Sequence, residues 1–247
     1  MKKYKLTEET IIVNGRTLYR IEALRDFAYI KKGDKGGFVE KENNLSQYGD
    51  SWVDDDAKVF GNAQVCGNAR IYGNAIVRGN AQVYGHASVR GNAEVYGHAD
   101  ICGDAQVYDY AEVYDNAEVL GNAEVYDNAK VFENAEVSFD AKVYDNAKVY
   151  EYAMVQGNAK VYGNAEIRTN ACIYGDAVID SIGDYIVFKN FWSSGRSFTW
   201  TRSNDMWKVG CFYGTGEELI KKAYKESEIS GREYERIVKY VETIKGK

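Results

Sequence analysis

Residues 87–104 read Ala87-Ser88-Val89-Arg90-Gly91-Asn92-Ala93-Glu94-Val95-Tyr96-Gly97-His98-Ala99-Asp100-Ile101-Cys102-Gly103-Asp104. This is one six-residue unit, Ala-x-Val-x-Gly-Asn, passed through three times. Counting by six in both directions, the Val position runs unbroken from Val53 to Ile179. The arithmetic, (179 − 53)/6, gives 21 steps and therefore 22 β-branched residues in register. A small residue, nearly always Ala, stands two places before each, from Ala57 to Ala177.

A fixed period of six is neither helical nor a simple alternation, so it reads as a stacked repeat. Ala and Val, two apart, point to one side of a short strand, and the residues flanking Val point to the other. Gly-Asn follows as a corner pair because both tolerate positive φ. Strand and corner alternate around a narrow interior of small and β-branched side chains, so three units close one triangular coil of eighteen residues. The sequence predicts an all-β solenoid of about seven coils, roughly 34 Å long at ~4.8 Å per coil.

The order [Ile/Val]-x-x-x-Ala-x resembles the hexapeptide repeat of left-handed parallel β-helix proteins, known from acyltransferases and γ-class carbonic anhydrases. The left hand is implied by that resemblance, since general rules favour right-handed crossovers. More widely, the chain looks like phage and prophage hexapeptide-repeat proteins. The likeness is carried by Leu18-Tyr19-Arg20-Ile21, Gly36-Gly37-Phe38-Val39-Glu40 and Asn44-Leu45-Ser46-Gln47 near the start, and by Cys211-Phe212-Tyr213-Gly214-Thr215 near the end. It implies the hexapeptide-transferase-like architecture and a phage or prophage origin.

Three segments are expected: an N-terminal β cap over 1–44, the repeat β-helix over 45–182, and a C-terminal α+β cap over 183–247. In the first, Ile11-Ile12-Val13-Asn14-Gly15-Arg16-Thr17-Leu18-Tyr19 reads as a hairpin with an Asn-Gly turn. In the last, Tyr185–Phe188, Phe198–Thr201 and Trp207–Phe212 read as three strands. Thr215 and Ser230, each followed three residues later by Glu, read as capping boxes of two helices. Both caps are expected to seal open ends of a stack whose coils bury their faces only against each other.

The 247 residues carry a net charge of −6, which argues against a nucleic-acid partner. Proline is absent, as unbroken coils require. No apolar run approaches the ~18 residues of a membrane span, so no membrane partner is expected. The opening Met1-Lys2-Lys3-Tyr4-Lys5 lacks a signal peptide's apolar region. Cys66 and Cys102 occupy equivalent places two coils apart, about 10 Å, too far for a disulfide. Reduced thiols and the bacterial cytoplasm are the expectation.

Sorting by eighteen separates three faces. One carries Tyr72, Arg90, Tyr108, Tyr126, Tyr144 and Tyr162 outward; the next carries Phe60, Arg78, Tyr96, Tyr114, Phe132, Tyr150 and Arg168. These are aromatic ladders of the kind that stabilise adjacent strands. Where Arg interrupts them, at Arg78 and Arg90 beside Tyr72, Tyr96 and Tyr108, a fork and π faces together suit a nucleotide-like ligand. The third face is small and mixed. Its Cys102, Leu120, Met154 and Cys172 suit an oligomer interface, and the resemblance implies a homotrimer. Acidic corners such as Asp109, Asp127 and Asp145 stack in columns that Lys130, Lys142, Lys148 and Lys160 are expected to neutralise.

Catalytic signals are sparse. The two histidines, His86 and His98, stand where Asn belongs at a corner. His86 with Asp104 supplies one general-base pair, the acyltransferase alternative. Zinc in the carbonic-anhydrase manner needs three His ligands, so no metal and no cofactor is expected. The expected function is non-catalytic binding or scaffolding, by a phage or prophage accessory factor that engages a host protein or sequesters a nucleotide-like molecule in an anti-defence role.

Overall fold

The computed structural model describes residues 2–245; Met1, Gly246 and Lys247, which the two cap segments included, lie outside the described residues. Residues 53–179 form a parallel β-solenoid. Each two-residue rung pairs in register with the rung eighteen residues on, as in Val89 with Val107 and Val95 with Val113. At the two inward places of each unit, from Ala57 to Ile179, every Ala, Val and Ile is at most 1% exposed. Rung amides donate to carbonyls of the next coil at 2.6–3.1 Å, for example Lys58 N to Ala75 O at 2.9 Å.

The stack has eight coils rather than seven, because residues ahead of Val53 join it. Val39 pairs in parallel with Val59, and Leu45 bridges Val65. Both steps span twenty residues instead of eighteen; the two extra residues fall between Leu45 and Val53. Gly36 and Gly37 permit the entrance of this first coil. A Cβ on Gly36 would stand 2.4 Å from the Val53 carbonyl oxygen, and one on Gly37 2.6 Å from that of Ala57.

The N-terminal hairpin, Tyr4–Val13 with Arg16–Ala23, turns at Asn14 and Gly15, both at positive φ. Through Lys35–Val39 it prolongs one solenoid face into a ten-stranded sheet. Trp52, 1% exposed, plugs this end, with the Phe27 ring edge-on at 5.4 Å.

The corner residue in left-handed conformation is the first of the Gly-Asn pair. Gly85 (φ 71) and Gly97 (φ 71) take it, and His86 and His98 do not. Positive φ therefore does not explain the histidines. The first place also accepts Asp109, Asp115, Glu133 and even Phe139 (φ 63).

At the other end, Tyr185–Lys189, Ser197–Thr201, Met206–Val209 and Phe212–Gly214 form an antiparallel sheet. The expected third strand is thus two, broken at Gly210-Cys211. Phe198, Trp200 and Trp207 pack beneath α1 (Gly216–Glu226) and α2 (Glu228–Ile244), with Leu219, Tyr234 and Val241. Thr215 caps α1 as expected. Ser227, not Ser230, caps α2: its hydroxyl accepts from the Ser230 amide at 3.1 Å, one turn inside the helix. No helix among the described residues is long and apolar enough to cross a membrane.

Candidate binding site

The aromatic ladders are continuous stacks. Ring centroids lie 4.8–5.0 Å apart from Tyr96 through Tyr114 and Phe132 to Tyr150. The second ladder, Tyr108 through Tyr126 and Tyr144 to Tyr162, has spacings of 4.9–5.1 Å. Arg78 covers Tyr96 at 4.0 Å, and Arg90 covers Tyr108 at 4.0 Å. Each Arg has one such ring as its partner; Tyr72 lies instead near Arg70, at 5.6 Å.

Both guanidinium groups already have polar partners. Arg78 pairs with Glu94 at 3.2 Å, and Arg90 donates to Gln106 at 2.8 Å. The lysines pair with glutamates on the faces rather than with the acidic corners: Lys130 with Glu112 and Lys142 with Glu124, both at 2.6 Å. Tyr96 and Tyr108 donate to the same two carboxylates, and burial first, then those carboxylates, raises both phenols. On both faces the polar ends of the ladder side chains therefore bond to one another, and a shallow cavity lies beside Arg78, Tyr96 and Lys130.

His86 belongs to a corner ladder as well. Its Nε2 lies 3.3 Å from Asn68 Nδ2, as His98 Nε2 does from Asn80. Among the described residues Asp104 is not a hydrogen-bond partner of His86, so the base–carboxylate pair does not form.

The third face differs in charge. Its outward column runs Gln82, Asp100, Glu118, Glu136, Met154, Cys172, one residue per coil and with no basic residue. Asp100 accepts from Tyr84 at 3.2 Å through Oδ2, while its buried Oδ1 has no partner; burial holds this carboxyl above its usual range. Cys102, Leu120 and Met154 are half-buried on this face. Cys172 is only 8% exposed, because the C-terminal sheet covers it. No group of three or more metal-ligating side chains occurs among the described residues.

That covering creates a site where polar groups converge without satisfying each other. In the cap sheet Thr199 stands opposite Lys208, and Lys189 opposite Ser197. Residues paired across strands share a side, and alternate residues of one strand share it too. Lys189, Ser197, Thr199 and Lys208 therefore all face the rod, while Phe198 and Trp200 face the helices. Thr199 Oγ1 accepts from the Cys172 amide at 2.9 Å and fixes this sheet on the third face.

Between them lies a cleft of about 560 Å³. Its rod wall is Met154, Gln156, Asn170 and Cys172; its cap wall presents Lys189, Arg196 and Lys208. Lys208 also sits 4.3 Å above the Tyr174 ring. Among the described residues none of the three cations has an ion-pair partner, unlike Lys130 or Lys142. Burial raises the Cys172 thiol to about 11 although Lys208 pulls the other way, so the thiol stays protonated and is a poor nucleophile.

Sequence reasoning did not single out Lys189, Arg196 and Lys208. A signal existed: residues 185–204 contain no acidic residue, inside a chain that is acidic as a whole.

Residues 63–79 match the family model described as the YdcK β-solenoid repeat, about one coil of the rod. No curated protein sequence matches the chain.

Proposed function

We propose that the chain is a non-catalytic binding protein that holds a small charged molecule in the cleft between the rod and the C-terminal cap. The observation that carries this reading is the cleft's chemistry: three cations that have no anionic partner among the described residues, two amides, a thioether and a protonated thiol. Cations and amides hold ligands. Proton transfer asks for a group that titrates near the working pH within reach of the ligand, and no carboxylate or imidazole is among the cleft's lining residues. A small molecule suits a cleft of this size better than a host protein does.

The resemblance to phage and prophage hexapeptide-repeat proteins supports an accessory role in the bacterial cytoplasm, with capture of the molecule as the work done. A homotrimer through the third face would use Cys102, Leu120 and the open side of Met154, since the cap covers Cys172. The acyltransferase alternative would rest on His86, whose ring is engaged with Asn68 rather than Asp104.

Native mass spectrometry of the protein purified from bacterial lysate tests the reading. Wild type is expected to carry a small-molecule mass that Lys208→Glu lacks. An adduct kept by Lys208→Glu, or acyl-CoA turnover abolished by His86→Ala, would sink it.

A further inference from the structure

The cleft's charge narrows the class of ligand; this step rests on the reading that the ligand sits in the cleft. Lys189, Arg196 and Lys208 place three positive charges around it, with no carboxylate among its lining residues. A phosphomonoester brings about −1.5 to −2 at neutral pH and would leave a cation unmatched. A diphosphate adds a second phosphate group and comes to about −3 by the same count. Arg196 can engage two phosphate oxygens at once, whereas the lysines act as point charges.

The opposite wall is of another kind. Met154 offers an apolar, polarizable surface, and Gln156 and Asn170 are amides that both donate and accept. The Gln156 amide is already partly fixed, since its Nε2 donates to Glu136 at 2.9 Å. At about 560 Å³ the cleft lies within the usual range of small-molecule sites and is larger than an inorganic diphosphate alone requires. We propose that it seats an organic diphosphate, with the diphosphate against Lys189, Arg196 and Lys208 and the organic group against Met154, Gln156 and Asn170.

Such a ligand touches cap and rod together, so binding should also stabilise the docked cap by mass action. The binding should weaken steeply as salt rises, because its main contacts are charge pairs at a partly exposed site.

Calorimetry on the full chain tests this, with ADP, pyrophosphate, adenosine and citrate as probes. ADP is expected to bind, pyrophosphate to bind more weakly, and adenosine not to bind. Arg196→Ala and Lys208→Ala should each weaken ADP about tenfold or more, while Arg90→Ala leaves it unchanged. Circular dichroism identical to wild type excludes misfolding, and Lys208→Arg should retain most of the affinity. If adenosine binds as well as ADP and Lys208→Glu loses both, the diphosphate inference falls while the cleft stands. Citrate binding as tightly as ADP does the same, in favour of a carboxylate ligand. ADP binding that ignores Arg196→Ala and Lys208→Ala but needs Arg78 or Arg90 overturns the cleft itself. No heat from either ADP or pyrophosphate overturns the diphosphate.

Discussion

The backbone amide of Cys172 donates to the hydroxyl oxygen of Thr199 at 2.9 Å, so the open strand edge of the last coil ends on a side chain of the cap. A further coil would have supplied a carbonyl there. Val178 repeats the device with Ser203 at 2.7 Å, and the amides of Asp180 and Ser181 share one oxygen of Asp184, at 3.0 and 2.9 Å. Hydroxyls and a carboxylate thus stop the sheet from pairing onward.

Thr199→Val keeps the shape and removes the acceptor. It should leave a buried donor unsatisfied, at a cost of about 1–3 kcal/mol. The cap is expected to melt first, seen in the fluorescence of the buried Trp200 and Trp207 while rod circular dichroism persists. Unchanged melting of both signals would show that the bond contributes nothing to docking.

Neighbouring rod residues should respond oppositely. Val119 is 0% exposed, and Val119→Asp would bury an unpaired charge at a cost of several kcal/mol. Glu118 points outward in the same rung, so Glu118→Lys should shift stability by no more than about 0.5 kcal/mol. Chemical denaturation of the two variants checks the pair. Equal stabilities would refute the inward–outward assignment.

Lys3 gives the N-terminal cap a pH dependence. It is 0% exposed, with Nζ donating to the Ser51 carbonyl at 2.7 Å, and burial, then Arg25, lowers the ammonium to about 8 from 10.5. Between those values the unfolded chain keeps a proton that the folded chain has lost, so Lys3's contribution to stability rises with pH across that window. The difference in stability between wild type and Lys3→Met should therefore move in favour of wild type from pH 8 to 10.5. A difference flat with pH would rule this out.

Phe139 holds φ 63 at a corner where Gly121 and Gly157 lie above and below, and its ring is 57% exposed. Phe139→Gly removes left-handed strain at little loss of burial, and is expected to stabilise by up to about 1 kcal/mol. A lower melting temperature would mean that the ring's surface contacts outweigh the strain.

Association through the third face would bring copies of Glu118, which has no basic neighbour in its column, near each other. Glu118→Gln should strengthen a homotrimer and Leu120→Glu should abolish it, by light scattering at micromolar concentration. A monomer in wild type and Glu118→Gln alike would dismiss the trimer.

The solenoid was legible because Ala and Val recur at one spacing and nothing else satisfies that spacing. Its eighth coil was hidden by the two extra residues after Leu45, which put Val39 and Leu45 out of phase with the count by six. The helix start at Ser227 was masked by Ser230, whose Glu233 completes the same pattern one turn later. The ladders were readable as columns, but not that Glu94 and Gln106 would occupy Arg78 and Arg90; those bonds join residues sixteen apart across coils. Lys189, Arg196 and Lys208 belong to separate places in the cap, and only docking sets them opposite Met154 and Cys172.

The eighteen-residue coil also governs how such a molecule can change in length. Loss of eighteen residues anywhere between Val53 and Val131, short of the coils that line the cleft, would shorten the rod and return the cap to the same face. Loss of six would leave the interior equally well filled, yet carry the cap a third of a turn around the axis, onto one of the aromatic ladders. Growth and shrinkage by whole coils are therefore neutral for the cleft, and a single hexapeptide gained or lost dismantles it without touching one of its residues.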